Sequence, residues 1–343
     1  MALQRVLVTG AAGFVGRRVV ERMLGLGTEV RALVRSGVVA TRPRAGLELV
    51  RGDVTEPESL TMATAGCDVV FHCAWGGETL ADARRVNVQG TVHVLEAAAR
   101  AGVRRVVHLS TMAVHGDRLP AVLTEDHPMD LAGDAYGVSK AEGERAAMAL
   151  GRERGVEVVA LRPSLVYGPR APYWLIGYFE RTRREHVVLV DGGRGLANLL
   201  FVEDLVDGML AAAERPDIAG EACLVSGSSP VTWREYLGHF ARMCNKPPPP
   251  SVPLWRARLE MQFLRVYGMF TQRPRRLQGM DVRLMSQHTA VSIAHAERVL
   301  GWRPATSLEA GMRVCEAWLR QEGYLAPVAS RVDPGKDRLA ARA

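Results

Sequence analysis

The chain of 343 residues has little of what several protein classes require. No run of about 18 apolar residues occurs, so no membrane-spanning helix is expected. The opening MALQRVLVTG lacks a basic segment followed by an apolar one, so no secretory leader is expected either. The five cysteines (Cys67, Cys73, Cys223, Cys244 and Cys315) show no C-x-x-C spacing and no even count. That pattern argues against a disulfide framework or zinc site and for reduced thiols in a cytoplasmic protein. None of the nine histidines joins a metal-binding constellation, so no metal is expected. No internal repeat is found. What remains is ordinary for a globular chain: 48% hydrophobic and 24% charged residues exclude disorder and collagen-like repeats. Basic residues outnumber acidic ones by 44 to 37, a net charge of +7. Net charge governs association rather than fold, and alone it suits a phosphorylated ligand, nucleic acid or anionic membrane equally.

Short apolar runs alternate with helical patterns through the first half. Strands are expected at 4–9, 29–34, 47–51, 69–72, 105–110 and 157–162, with helices at 14–26, 82–101 and 134–154. Nearly continuous apolar strands alternating with helices imply a parallel sheet covered on both faces. The expected class is therefore α/β, a doubly wound parallel sheet whose ligands lie beyond the carboxyl ends of the strands. Later patterns are less regular: helix 173–184, strand 187–190, helix 203–213, strand 222–226, the run Pro247–Pro250, then helices 253–270 and 307–322. This reads as a dinucleotide-binding domain over 1–168, with 198–226 partly returning to the sheet. A smaller α/β substrate domain is expected over 169–197 and 227–325, and a disordered tail over 326–343.

After the first strand comes Gly10-Ala11-Ala12-Gly13-Phe14-Val15-Gly16, glycines spaced G-x-x-G-x-x-G between strand and helix. Gly10 permits the tight turn, Gly13 the approach of a pyrophosphate, and Gly16 close packing of helix on sheet. The phosphates would meet free N–H groups at a helix N-terminus. The second strand ends Val34-Arg35-Ser36 with no acid to bond a ribose 2′-hydroxyl. Arg35 and Ser36 suit a 2′-phosphate instead, so NADP(H) is favoured and NAD(H) is the alternative. Asp53 and Val54 end the third strand where the adenine edge would lie, although Asp53 reads equally as a helix N-cap. Ala74 and Trp75 follow the fourth strand, beside the pyrophosphate and ribose.

Tyr136 and Lys140 share one face of a helix by their i,i+4 spacing. Thr111 stands 25 residues earlier at a strand end. A tyrosine beside an ammonium and an oxidised nicotinamide has its phenolate favoured, so it can exchange a hydroxyl proton while hydride passes. Thr111 would bond the same substrate oxygen.

Together these segments resemble the extended short-chain dehydrogenase/reductase family, also called the NAD-dependent epimerase/dehydratase family. The likeness includes TGAAGFVG at 9–16, GDV at 52–54, HCA at 72–74, VNVQGT at 86–91 and LSTMAVHG at 109–116. YGVSK at 136–140, LRPSLVYGP at 161–169, FVEDLVDG at 201–208 and AERVLGWRP at 296–304 continue it. The resemblance implies a Rossmann sheet, with Thr111, Tyr136 and Lys140 as the catalytic set. Asn87 supports the site or simply bonds neighbouring backbone, Pro163–Val166 lies over the nicotinamide, and Ser164 and Asn198 are candidate substrate contacts. A homodimer and a small-molecule substrate are likewise implied; nucleic acid is not.

Departures from the family pattern narrow the chemistry. Dehydratases carry acids immediately after the catalytic Thr or Ser; here Met112 and Ala113 stand there. Ala197 stands where sugar-nucleotide members carry a diphosphate-gripping arginine, ahead of Asn198 and FVED. Arg170, Arg194 and Arg283 offer charge elsewhere or are plain surface residues. The chain thus looks more like the 3β-hydroxysteroid dehydrogenase and dihydroflavonol reductase branch, acting at a ring ketone or secondary alcohol. The alternatives are a nucleotide-sugar epimerase or 4-ketoreductase, and a non-catalytic NADP-binding scaffold. Trp75, Met112, Trp174 and Phe179 are candidates to line an apolar cavity, or else core. Trp255, Leu259, Phe263, Val266 and Phe270 form a helical stripe with arginines around it. It either covers the cleft or rests on an anionic membrane. His115 replaces a family tyrosine and either touches substrate or packs.

Overall fold

Seven parallel strands form the central sheet of the computed structural model, which describes residues 3–35, 44–267 and 279–326. They are β1 (Arg5–Thr9), β2 (Glu29–Val34), β3 (Leu47–Arg51), β4 (Val69–His72), β5 (Arg105–Leu109), β6 (Glu157–Pro163) and β7 (Ala222–Val225). Their spatial order is 3-2-1-4-5-6-7. Strand order reverses between β1 and β4, the switch point at which a doubly wound sheet opens a crevice. Thr9 and His72, paired in register, end those two strands at its floor. β4 is buried at every position, as a strand covered on both faces must be.

The first helix, Phe14–Gly25, packs with helix Val202–Glu214 on one face around Val6, Val8, Phe71, Leu205 and Met209. Helices Pro57–Thr64, Gly90–Arg100 and Ala135–Arg154 cover the other around Leu7, Val70, Leu95 and Val106. A separate apolar cluster joins Tyr178, Phe179, Trp233, Tyr236, Phe240 and Leu319, drawn mostly from residues after 166. Asp204 of the FVED segment is buried and accepts from Ala305 N, Thr306 N and the Thr306 hydroxyl. With Trp302 Nε1 donating to Asp204 O at 2.9 Å, these bonds tie the WRP segment and its next two residues to the Val202–Glu214 helix.

Two expected elements differ in detail, and one helix stands where none is expected. The pattern at 82–101 resolves into a helical turn Leu80–Arg84, a π turn Arg85–Gln89 and the helix Gly90–Arg100. The pattern at 173–184 begins as a π turn Pro172–Gly177 and ends as helix Tyr178–Arg183. The helix Trp233–Met243 is not among the expected elements, although a complete capping box between Thr232 and Glu235 starts it. The tail beyond 326, Ser36 and Phe270 lie outside the described residues, as do the side chains of Phe263 and Val266.

Candidate active site

The glycine loop is built as the spacing requires. Gly10 has φ +64°, and a Cβ there would sit 2.8 Å from the backbone of Cys73 and Ala74. A Cβ on Gly16 would overlap the Gly10 carbonyl. Helix Phe14–Gly25 starts with no side-chain cap and no acid in its first turn, so its leading N–H groups have no side-chain competitor for an anion. These residues fit a dinucleotide. Phe14 and Val15 are half-buried in that first turn, and Arg35 is exposed just past β2. Asp53 does not cap the next helix; Glu56 holds that position. Its carboxylate instead accepts from Thr55 N and the Thr55 hydroxyl at 2.8 Å each, and Val54 is buried.

Thr111, Tyr136 and Lys140 come together beyond the carboxyl end of β5. Asp134 caps helix Ala135–Arg154 by accepting from Gly137 N at 2.7 Å, which fixes where Tyr136 enters the cleft. Burial raises the Tyr136 phenol above its ordinary value, a hydrogen bond with Thr111 lowers it, and the Asp134 charge raises it further. Thr111 also caps the turn Met112–His115, accepting from Ala113 N at 3.2 Å. Lys140 is buried and donates to Leu109 O at 2.5 Å. Burial pulls its ammonium down to about 8, against smaller upward pulls from Glu144 and Cys73. Tyr136 itself remains 40% exposed, so its phenol faces the cleft while the Lys140 ammonium is enclosed.

Asn87 sits in the π turn, buried, with Nδ2 donating to Ser139 Oγ and Oδ1 accepting from Gly76 N, both at 3.0 Å. Ser139 in turn donates to Tyr136 O at 3.1 Å. Gly143 makes this approach possible, since a Cβ there would overlap Asn87 O. A helix that inserts one extra residue to aim a side chain is a recurrent device at functional sites.

With this geometry the comparisons with known proteins agree. The model for the NAD dependent epimerase/dehydratase family matches residues 6–224. The chain belongs to this family. It is similar to the 4-hydroxy-2-methyl-3-oxo-4-farnesyl-3,4-dihydroquinoline-1-oxide ketoreductase of Stigmatella aurantiaca, 36% identical over 239 residues, covering 68% of this chain and 71% of the relative. It is also similar to the 3 beta-hydroxysteroid dehydrogenase/Delta 5→4-isomerase of Mycobacterium tuberculosis H37Rv, 32% identical over 336 residues, covering 91% and 90%. The solved UDP-glucose 4-epimerase of Thermotoga maritima, with UDP-glucose, shares the fold: TM-score 0.74 and 21% identity, covering 93% of this chain and 99% of that one. As a family member the chain is an NAD(P)-dependent oxidoreductase or epimerase of the extended short-chain type.

The remaining family positions are placed as follows. Trp75 is 65% exposed and meets the Tyr136 ring edge-on, centroids 5.6 Å apart; Ala74 before it is half-buried. Met112 is half-buried beside Thr111. Pro163 ends β6, Ser164 bonds Ser226 Oγ at 2.9 Å, and Val166 is half-buried on the strand Leu165–Tyr167. Asn198 spends its amide on Thr289 O and Val291 N, and Ala197 is wholly buried. Trp174 stacks among Tyr173, Tyr178 and Trp233, and Phe179 is fully buried against Tyr324. His115 is buried between Pro128 O and Arg162, so it packs.

Two of the three candidate cations are already paired with carboxylates. Arg170 pairs with Glu322 at 3.5 Å, whereas Arg283 pairs with Asp117 at 2.7 Å and Asp134 at 3.4 Å. Arg194 is exposed. A cavity of about 590 Å³ lies beside Arg283, with Arg118, Arg258, Met261 and Val282 in its walls. Among the described residues no group of three His, Cys, Asp or Glu side chains can hold a metal, and no helix is long and apolar enough to cross a membrane.

Two features of the site lie outside the sequence reading. Glu144, one turn past Lys140, receives Ser110 Oγ at 2.5 Å and is clamped by Arg162 of β6. His72 carries no role in the motif HCA, yet it hydrogen-bonds at both ring nitrogens. An acid on the buried face of helix Ala135–Arg154 and an arginine inside an apolar strand are signals that such a pair must meet.

Proposed function

We propose that the chain is an NADP(H)-preferring ketoreductase or dehydrogenase acting on a ring ketone or secondary alcohol that carries no diphosphate. The observation that carries this reading is the edge-on contact of exposed Trp75 with Tyr136, an apolar wall directly on the proton-transfer group. Buried Ala197 and the carboxylate pairing of Arg170 and Arg283 support it, because no free pair of arginines waits for a diphosphate at these positions. The two relatives named above, a ketoreductase and a hydroxysteroid dehydrogenase, point the same way. Exposed Arg35, with no acid at the end of β2, supports the 2′-phosphate.

A bound nicotinamide supplies or accepts the hydride. Tyr136 gives its proton to the oxygen that becomes the alcohol, or takes it back in the reverse direction. Thr111 orients the same oxygen, and Lys140 serves the ribose and the return of the proton.

A nucleotide-sugar epimerase is the second reading, favoured by the arginine-lined cavity next to Arg283. Titration with UDP, GDP and dTDP separates the two: micromolar binding of any of them supports the epimerase, and its absence supports the reductase. Trp255 and Leu259 are 69% and 60% exposed on helix Leu254–Tyr267, while Ala257 faces inward. With Arg256 and Arg258 beside them, they favour peripheral contact with an anionic bilayer over a covered cleft. Flotation with phosphatidylglycerol vesicles, and its loss in Trp255→Ser/Leu259→Ser, tests that contact. Five unpaired cysteines suit a cytoplasmic setting. The homodimer expected from the resemblance is tested by sedimentation.

A further inference from the structure

His72 is buried, and one arrangement of protons satisfies every hydrogen bond it makes. Thr91 Oγ donates to Asn87 O at 2.7 Å, and a carbonyl can only accept. The Thr91 hydroxyl has then spent its one proton, so at 3.0 Å it must accept from His72 Nε2. His72 lies beside His108, ring centroids 5.4 Å apart, and burial foremost, then the Lys140 charge, holds its imidazolium down to about 3. Neutral imidazole carries one proton, so Nδ1 accepts from Thr9 Oγ at 2.7 Å. Thr9 Oγ in turn accepts from Ala74 N at 3.3 Å. The chain runs in one direction: Ala74 N–H, Thr9, His72, Thr91, Asn87.

Its two ends return to the same short segment. Ala74 N–H enters at Thr9, and Gly76 N–H donates to the side chain of Asn87, the residue whose carbonyl closes the chain. Between them stands Trp75, exposed and edge-on to Tyr136. A tryptophan with so little side-chain burial is aimed chiefly by its backbone, and both flanking N–H groups belong to this relay.

We propose that His72, as the Nε2–H tautomer, is a positioning residue that clamps Ala74–Gly76 through Thr9 and Thr91 and so aims Trp75 at Tyr136. It touches neither substrate nor cofactor. Its value for specificity rests on the reading of Trp75 as a substrate wall, but its geometry does not, and the test needs no turnover.

The test uses full-length protein labelled with ¹⁵N-histidine and with 5-fluorotryptophan. Long-range ¹H–¹⁵N spectra at pH 7 should show one histidine, lost in His72→Gln, as a neutral Nε2–H tautomer. The Trp75 fluorine line, assigned with Trp75→Phe, should shift or broaden in Thr91→Val, while the Trp174, Trp233 and Trp302 lines stay in place. Thr91→Ser, which keeps the hydroxyl, should restore it. Thr91→Val alters a single methyl-sized group, so the result does not depend on His72 variants folding. An Nδ1–H or charged His72 overturns the proposal. So does a Trp75 line that ignores Thr91→Val, or movement of all tryptophan lines alike, the mark of a merely structural role. If Trp75 responds as expected but Trp75→Ala leaves substrate KM unchanged, the clamp stands and the substrate-wall reading fails.

Discussion

Arg162 of β6 closes on Glu144 of helix Ala135–Arg154 with Nη2 to Oε1 at 2.6 Å, and both side chains are almost wholly out of solvent. The pair also holds Ser110, the residue before Thr111, so one ion pair joins two strand ends to the helix of Tyr136 and Lys140. Removing one partner of a buried pair leaves an uncompensated charge and costs about 3–5 kcal/mol, whereas replacing both by apolar groups is often close to neutral. Urea unfolding should therefore rank Glu144→Leu and Arg162→Met well below wild type and the double variant above either single one. A double variant at the sum of the two losses contradicts this.

Lys140 trades stability for function. Its folded value, about 8, lies below the ordinary 10.5. Below pH 8 the folded state must carry a buried charge that the unfolded chain carries in water, so the group destabilises there. As pH rises from about 8 towards 10.5 the folded lysine is neutral first, and the penalty fades. Lys140→Met should thus gain stability at pH 7, with an upper limit of about 3 kcal/mol, less the cost of leaving Leu109 O unpaired. The gain should shrink above pH 8, while activity is lost throughout. A loss of stability at pH 7 with no pH dependence contradicts the assignment.

Acid should act through histidine before it acts through carboxylates. Burial holds His72 down to about 3 and His108 well below its ordinary value. A lowered folded value means stability present above the unfolded value, near 6.5, and lost as pH falls below it. Stability measured from pH 7 to pH 5 should fall by about 1.4 kcal/mol per pH unit for each of these two histidines once the pH is below 6.5. His108→Phe should remove the part of the slope that His108 contributes, leaving those of His72, His115 and His239; an unchanged slope contradicts the burial argument.

Arg35 should set cofactor preference. One charge-assisted contact to the 2′-phosphate is worth about 1.5–3 kcal/mol, or about ten- to hundredfold. NADP(H) should bind that much more tightly than NAD(H), and Arg35→Ala should erase most of the difference. Equal dissociation constants in the unmutated protein contradict it.

The central sheet and the glycine loop are legible in the sequence because each depends on local pattern: buried strands read as apolar runs, and Gly10 must be glycine where φ is positive. Thr111, Tyr136 and Lys140 are legible through family motifs rather than periodicity. The π turn at Arg85–Gln89 is not legible, because its extra residue answers to Asn87 meeting Ser139, a contact 52 residues apart. The Glu144–Arg162 pair and the His72 chain are long-range for the same reason: each residue alone reads as a misplaced polar group, and only packing supplies the partner. Helix Trp233–Met243 is different. Its capping box and the spacing of Trp233, Tyr236, Leu237 and Phe240 announce it, and aromatic residues of weak helix propensity mask it.

The most direct test of the reductase reading follows the hydride. The enzyme is incubated with NADPH carrying deuterium at C4 and a panel of cyclic ketones, and product and cofactor are both analysed. Deuterium should appear at the carbinol carbon with one NADP⁺ released per alcohol formed. Tyr136→Phe should slow this by about 10²–10⁴ while leaving cofactor binding nearly unchanged. Deuterium retained on a cofactor that never leaves, with a UDP-sugar interconverted instead, contradicts the account, as does turnover by Tyr136→Phe within about tenfold of wild type.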